Sequence, residues 1–427
     1  MKIKLTQKAY ADVMALPPQK HQRPKKPNIF FRTLLKLVSL PDLWAVKFKY
    51  TKIGTEEIRG KEPCLYLMNH SSFIDLEIAA SVLYPRPFNI VTTTDAFVGK
   101  SWLMRQIGCI PTKKFVSDLG LIRDISHCIK EQGSSVVMFP EAGYSLDGTA
   151  TTLPETLGRF CKMMGVPVIM IRTYGAFTRD PLYNGLQRRK VRVSADIKYL
   201  LSPDELKKKT SDEVNEIIAA EFDIDNFKWQ KEKKVAVSES FRADFLHRVL
   251  YKCPHCQSEG KTLGKGVKLI CRSCGTVYTM DEYGSLSNDE GDTRFDHVPD
   301  WFAWERECVK SEIERGEYGF EIPVRICMAN DLKHVYYIGK GTLSHSAEGF
   351  RLVGAKGELD YTQNVQASYS ICADYNFYEI GDMICVGNDK ALYYCFPEDG
   401  EFPVAKVRLA AEELFKLYKS EKSRGKK

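Results

Sequence analysis

From about residue 60 to residue 200 short apolar runs alternate with longer amphipathic stretches. CLYLM at 64–68, FNIVTT at 88–93, SVVMF at 135–139, PVIMI at 167–171 and VRVSADIKYL at 191–200 have the length and β-branched content of strands. LGLIRDISHCIKEQG and ETLGRFCKMMG repeat their apolar residues at helical intervals and close on Gly133 and Gly165, which predicts two helices with glycine stops. Strands alternating with helices predict an α/β unit, a mostly parallel sheet flanked by helices, whose ligands sit at the carboxyl ends of the strands. A polar helix, SPDELKKKTSDEVNEIIAAEF, closes the region near residue 222.

The pattern then changes. Residues 223–252 form a charged connector, a compact cysteine module follows, and a helix is expected around Trp301–Arg315. Beyond it the chain becomes β-rich: EIPVRICMA, KHVYYIGKGTLSHS, GFRLVG, QASYSICA, NFYEIG, DMICVG and ALYYCFP are punctuated by Gly, Asn and Asp turns, and RLAAEELFKLYKSEK ends the chain as an amphipathic helix. About seven strands and then a helix resembles, in element order alone, a pleckstrin-homology-like barrel. No internal repeat is visible.

Upstream, IFFRTLLKLVSLPDLWAVKF at 29–48 places Phe30, Leu34, Leu37 and Val38 on one helical stripe and Arg32, Lys36 and Ser39 on another. Two readings fit: a helix lying in a bilayer interface, or an ordinary helix covering its domain. No stretch approaches the ~18 uninterrupted apolar residues of a membrane span. The N-terminus, MKIKLTQKAYADVMALPP, is basic without the apolar core of a signal peptide, so export is not expected.

Composition narrows the class. With 427 residues, 44% hydrophobic and 27% charged, the chain has the usage of a soluble globular protein of two or three domains. A net charge of +7 is modest for this length and favours anionic surfaces without marking a dedicated nucleic-acid binder. Basic residues gather at the ends, Lys2, Lys4, Lys8, Lys20, Arg23, Lys25 and Lys26 at one and Lys419, Lys422, Arg424, Lys426 and Lys427 at the other. They read as solvated tails or as attraction to anionic lipid. Thirteen cysteines, most of them alone inside apolar segments, point to reduced thiols and a cytosolic setting.

CPHCQSEGKTLGKGVKLICRSCG is the exception. Cys253, Cys256, Cys271 and Cys274 form two knuckles with glycines in the turns, the donor set and spacing of a structural zinc ribbon. Four thiolates leave no open position, so the expected Zn2+ serves folding rather than catalysis.

The residues that point to chemistry lie in the α/β region. In LYLMNHSSFIDLEIAA, His70 and Asp75 are five apart, about 140° around a helix, so they meet only if His70 precedes the helix. Asp75 in the first turn then reaches back to the ring, fixes its tautomer, and favours its protonated form, preparing His70 as a general base. The competing reading is a capping box in which Asp75, three residues after Ser72, satisfies a backbone amide. GCIPTKKF adds paired cations, Lys113 and Lys114, and MFPEAGYSLDGT places Glu141 directly after a strand, with GVPVIMI following.

These four blocks, in this order, resemble the glycerolipid acyltransferases of the lysophosphatidate (1-acylglycerol-3-phosphate) acyltransferase family, over about residues 25–225. The resemblance implies that His70, oriented by Asp75, deprotonates a lysolipid hydroxyl that attacks the thioester of acyl-CoA or an acylated carrier protein. It implies an acceptor pocket shaped by Glu141 and the turn at Gly143, with Lys114 or Lys113 holding a phosphate. Lysophosphatidate is the first choice of acceptor. The third block departs from the family pattern: Tyr144 stands where a cation is usual, and Lys114 stands where arginine is usual, which leaves open another lysophospholipid or a larger headgroup contacted by Tyr144. The expected partners are membrane phospholipid or lysophospholipid and the acyl carrier, with no nucleic acid. The expected location is the cytoplasmic face of a membrane, peripheral or monotopic. The expected organisation is an acyltransferase domain over 1–232 that includes the amphipathic segment, a zinc ribbon over 248–284, and a linker helix with a β-rich domain over 292–427. Two rivals are a zinc-ribbon protein that binds nucleic acid or protein, and a membrane scaffold with a degenerate acyltransferase domain. Few clustered cations in the ribbon count against the first, and the presence of His70, Asp75 and Glu141 counts against the second.

Overall fold

The apolar run at Leu65–Met68 becomes a central strand whose alternate side chains serve two cores. Tyr66 and Met68 pack with Ile74 and Ile78 of the helix Ile74–Leu83 on one face. Leu65 and Leu67 pack with Cys161 of the helix Leu157–Met164 and with Ile218 and Phe222 of the helix Ser211–Phe222 on the other. Burial on both faces is why the strand shows no polar alternation, and each such side chain stabilises the fold by about 1.5–3 kcal/mol. This computed structural model describes residues 5–17, 20–116, 118–288, 291 and 293–424; Lys2, Lys4, Lys426 and Lys427 of the basic ends lie outside the described residues.

The first sheet has seven strands in the order Lys49–Ile53, Ser194–Leu201, Val168–Tyr174, Leu65–Met68, Ser135–Met138, Phe88–Thr93, Cys109–Thr112. All neighbours are parallel except Val168–Tyr174 with Ser194–Leu201. The sheet is therefore mixed. Its two edge strands escaped the sequence reading for physical reasons: Lys49–Ile53 is exposed along its whole length, and Cys109–Thr112 is short and carries a proline.

Helix limits are set by local chemistry. Gly133 and Gly165 adopt the left-handed conformation at φ 59° and 65°, and Leu157–Met164 stops at the second. The polar segment expected as one helix is two, Pro203–Lys208 and Ser211–Phe222, because Thr210 forms a second capping box with Glu213 just as Ser202 does with Glu205. Helix Ile29–Ala45 starts where Asn28 accepts the Phe31 N–H. It buries Ser39 and Leu43 and turns the stripe of Phe30, Leu34, Leu37 and Val38 away from the protein, these residues being 65%, 40%, 57% and 68% exposed. No helix among the described residues is long and apolar enough to cross a membrane.

Four short antiparallel strands, Thr262–Lys265, Lys268–Cys271, Val277–Met280 and Leu286–Asn288, form the cysteine module. Helix Val298–Glu314 packs on it through Trp301, which is fully buried, meets Tyr278 edge-on at 4.9 Å and donates to the Lys252 carbonyl at 2.9 Å.

The β-rich region is an antiparallel sheet of seven strands followed by the helix Val404–Arg424. Its strands run Leu359–Asn364, Gly349–Gly354, Val335–Ser346, Phe320–Met328, Leu392–Pro397, Gly381–Gly387, Cys372–Phe377 across the sheet. The membership differs from expectation. QASYSICA and NFYEIG together yield one strand, because Asn376, Tyr378 and Glu379 take positive φ and turn the chain, while Leu359–Asn364 supplies an additional strand. An eighth, Leu5–Gln7, pairs in parallel with Val335–Tyr337, and the buried Val13 joins the core beneath. The segment Leu5–Gln7 is thus built into the C-terminal sheet.

Nor are the regions separated by solvent. One buried cluster runs from Phe177 and Tyr183 through Leu246 and Leu269 to Ile326 and Val407, and Val98 from the first region sits among Cys327, Phe377 and Phe396 of the last.

Candidate active site

His70 and Glu141 leave the carboxyl ends of adjacent parallel strands, Leu65–Met68 and Ser135–Met138, so the topology delivers both to one edge. Their loops are laced together: Glu141 Oε2 accepts the His70 N–H at 2.9 Å, and the Ser145 N–H donates to the His70 carbonyl at 3.2 Å. Glu141 Oε1 accepts the Thr151 N–H and hydroxyl at 2.9 and 3.2 Å. Burial pushes its carboxyl up to about 7, while the Thr151 and His70 amides pull the other way. Asn69 anchors the same loop, accepting the Thr173 N–H at 2.8 Å.

Asp75 lies in the first turn of Ile74–Leu83, a helix with no side-chain cap at Phe73. Its Oδ2 accepts the His70 Nδ1–H at 3.0 Å and the Ser71 and Ser72 N–H groups at 2.9 and 3.2 Å. The two readings of the sequence are therefore not alternatives: one carboxylate oxygen terminates the helix backbone and holds the imidazole. A proton on Nδ1 leaves Nε2 as the ring's acceptor. The ring is stacked between Phe139 and Tyr144 at centroid distances of 4.2 and 4.1 Å. Desolvation within this stack outweighs Asp75 and lowers the His70 pKa, so the neutral form is favoured. That reverses the sequence-based expectation of a favoured imidazolium.

His70 is 19% exposed and Asp75 1%, and both line a cavity of about 1710 Å³. Its lining includes the apolar side chains Ile90, Met104, Ile122, Ile125, Met138 and Phe160. The C-terminal region contributes Tyr369, Asp374, Phe377 and Tyr378 to the same lining. Lys114 lines the cavity too. Burial works against its charge, but Cys372, Asp374 and Asp95 together outweigh burial and raise its pKa. Lys113 is differently placed, donating to the Asp389 carbonyl in the turn between the strands Gly381–Gly387 and Leu392–Pro397 of the C-terminal sheet. Gly143 is buried in the turn after Glu141 with open space beyond its α-carbon. Tyr144 covers the face of the imidazole, and its carbonyl faces the Arg408 guanidinium at 3.4 Å. Burial raises the Tyr144 phenol well above its usual range. Phe139, Thr151, Asp95, Asp374 and Arg408 were not singled out from the sequence. Phe139 and Thr151 flank the Glu141 block and were within reach of a local reading; Asp374 and Arg408 arrive from more than 200 residues away, and no local signal marks them.

The four cysteines converge as well. Cys253, Cys256, Cys271 and Cys274 place their sulfurs within 4.8 Å of one another, with Cys253–Cys274 and Cys256–Cys271 at 3.8 and 3.7 Å. A tetrahedron with Zn–S bonds of about 2.3 Å has S–S edges of about 3.8 Å, so the donor set fits Zn2+.

Residues 49–173 match the Acyltransferase family model. A chloroplastic 1-acyl-sn-glycerol-3-phosphate acyltransferase of Brassica napus is 28% identical over 127 residues, 29% of this chain and 36% of that protein. The chloroplastic enzyme of the same name from Arabidopsis thaliana is 26% identical over 133 residues, 30% of this chain and 36% of its own. A 1-acyl-sn-glycerol-3-phosphate acyltransferase of Chlamydomonas reinhardtii is 25% identical over 189 residues, 42% and 56% of the two chains. The chain thus spans about a third of the length of the first two relatives. The crystal structure of the 1-acyl-sn-glycerophosphate acyltransferase PlsC from Thermotoga maritima aligns with a TM-score of 0.34 and 15% identity, covering 45% of this chain and 78% of that one.

Proposed function

We propose, from the premise that residues 49–173 form a domain of the Acyltransferase family, that the protein moves a fatty acyl group from an acyl thioester to the free hydroxyl of a phosphate-bearing lysolipid. Lysophosphatidate is the simplest such acceptor and the one named by the curated relatives. The observation that carries the reading is the neutral, Asp75-oriented His70 ring on the wall of a cavity large enough for an acyl chain and a headgroup.

The hydroxyl gives its proton to His70 Nε2 as its oxygen attacks the thioester carbon; the carbon–sulfur bond breaks, and the proton passes to the departing thiolate, which leaves as free CoA or carrier-protein thiol. Asp75 keeps the ring's tautomer, and Phe139 and Tyr144 keep its plane. No acyl-enzyme is needed, because the acceptor oxygen is the nucleophile. Glu141 and the Gly143 turn fix the loop that carries Tyr144, the apolar lining residues suit the acyl chain, and Lys114 suits the phosphate. Lys113, already bonded to the C-terminal sheet, is the weaker candidate. The cluster of Cys253, Cys256, Cys271 and Cys274 would hold Zn2+ as a structural ion.

The lysolipid acceptor and the diacyl product belong to a bilayer, and the outward apolar stripe of Ile29–Ala45, extended by Trp44 at 71% and Trp102 at 68% exposure, supports monotopic contact with one. The free thiols support the cytosolic leaflet. The test is transfer of labelled acyl from acyl-CoA or acyl carrier protein to a panel of lysolipids. His70→Ala is expected to lower kcat by about 10²–10⁴-fold in a protein that still folds, as circular dichroism would check; turnover that survives the substitution removes the mechanism.

A further inference from the structure

Charges of both signs line the cavity, among them Lys114, Asp95 and Asp374. The Lys114 ammonium has no direct hydrogen bond or ion pair among the described residues, yet two carboxylates act on it, Asp95 from its own domain and Asp374 from the strand Cys372–Phe377 of the C-terminal sheet. Asp95 is engaged, since its Oδ2 accepts the Tyr378 hydroxyl at 2.8 Å. Asp374 is not so occupied: among the described residues its side chain accepts only the adjacent Tyr375 N–H, at 2.8 Å. Tyr369, Tyr375, Phe377 and Tyr378 line the cavity around it.

A phosphate monoester suits such a place poorly. Seated on Lys114, its two negative charges would lie beside two carboxylates in a site shielded from water, where like charges repel strongly. A phosphodiester carries one negative charge. If an ammonium is attached to it, the anion can lie on Lys114 while the cation lies on Asp374 against phenolic rings, whose faces attract cations.

We propose that the acceptor is an amine-bearing lysophospholipid whose phosphodiester is held by Lys114 and whose ammonium is held by Asp374, so that the C-terminal sheet determines headgroup specificity. The inference rests on the acyl-transfer reading above and narrows its acceptor. Asp374 acts by contacting substrate away from the reacting oxygen; its effect belongs to acceptor choice.

The experiment uses the full chain, one acyl donor, and three acceptors of equal acyl length: lysophosphatidylethanolamine, lysophosphatidylglycerol, which is a diester without the amine, and lysophosphatidate. In the wild type, kcat/KM for the ethanolamine acceptor is expected to exceed that for the other two by about tenfold or more. Asp374→Asn is expected to collapse the ethanolamine-to-glycerol ratio about tenfold, largely through KM, and Asp374→Glu to restore it. His70-dependent turnover that favours lysophosphatidate or the glycerol diester, or a ratio indifferent to Asp374→Asn, overturns this inference and leaves acyl transfer standing. Absence of turnover with every acceptor overturns acyl transfer itself. Should Asp374→Asn fail to fold, the wild-type ratio among the three acceptors decides the matter alone.

Discussion

Three N–H donors converge on a single carboxylate oxygen, Asp75 Oδ2, and the third of them is the imidazole of His70. Such an oxygen cannot move without disturbing the start of its helix, which gives the ring a stiff support. Burial between Phe139 and Tyr144 lowers the ring's pKa while Asp75 raises it, and burial wins. The sign for activity follows directly. The general base proposed for acyl transfer works when unprotonated, so kcat/KM is expected to be level above about pH 6.5, the unperturbed value for histidine, and to fall with acid only below it. Asp75→Asn removes the influence that raises the pKa and should move the acid limb to still lower pH, while lowering the plateau by about 10²-fold or more. A pH–rate series on both proteins checks this, and a wild-type limb centred above 6.5 contradicts the stacked, desolvated ring.

Helix Ile29–Ala45 is the element whose pattern least suits water. A helix that merely covered its domain would bury its apolar stripe, but here the stripe faces outward and the buried positions are Ser39 and Leu43. Contiguous exposed aromatic and aliphatic side chains of this kind mark a binding surface. Replacing Phe30, Val38 and Trp44 together by serine should change stability by no more than about 0.5 kcal/mol at each of these exposed sites. It should sharply reduce co-sedimentation with phospholipid vesicles. Undiminished sedimentation would assign membrane contact to another surface.

Across the whole molecule, the cysteine module ties the first region to the last. Lys252 and Lys406 bridge Glu259 in the module with Glu312 in helix Val298–Glu314, and Arg272 and Lys261 reach Glu401 before the terminal helix. The buried cluster passes through it without interruption. Cys256→Ser with Cys271→Ser is therefore expected to release one zinc per chain and to lower the melting temperature. It should also weaken, without abolishing, the proposed acyl transfer by loosening the C-terminal wall of the cavity while His70 and Asp75 stay on the loop and helix that follow the strand Leu65–Met68. Metal analysis, a thermal melt and the transfer assay on the same preparation test this. Full zinc content in the double variant rules the metal site out.

The inner strands of the first sheet, the glycine stops and the cysteine knuckles were legible in the chain because each depends on neighbours within a few residues, where periodicity and turn chemistry act. The approach of His70 to Asp75 was legible for the same reason. The dual use of Asp75 Oδ2 and the lowered His70 pKa depend on burial, which no local pattern reports. The edge strands Lys49–Ile53 and Cys109–Thr112 depend on pairing with segments far along the chain, as does the seat of Leu5–Gln7 in the C-terminal sheet. The sequence alone thus determined which chemical groups are available and the local frames that carry them. Only the tertiary structure decided that Asp374 and Tyr378 stand around the same cavity as Lys114 and Tyr144, with Arg408 held against the Tyr144 carbonyl, because closing loops of more than 200 residues is governed by the packing of a shared core rather than by any short-range preference.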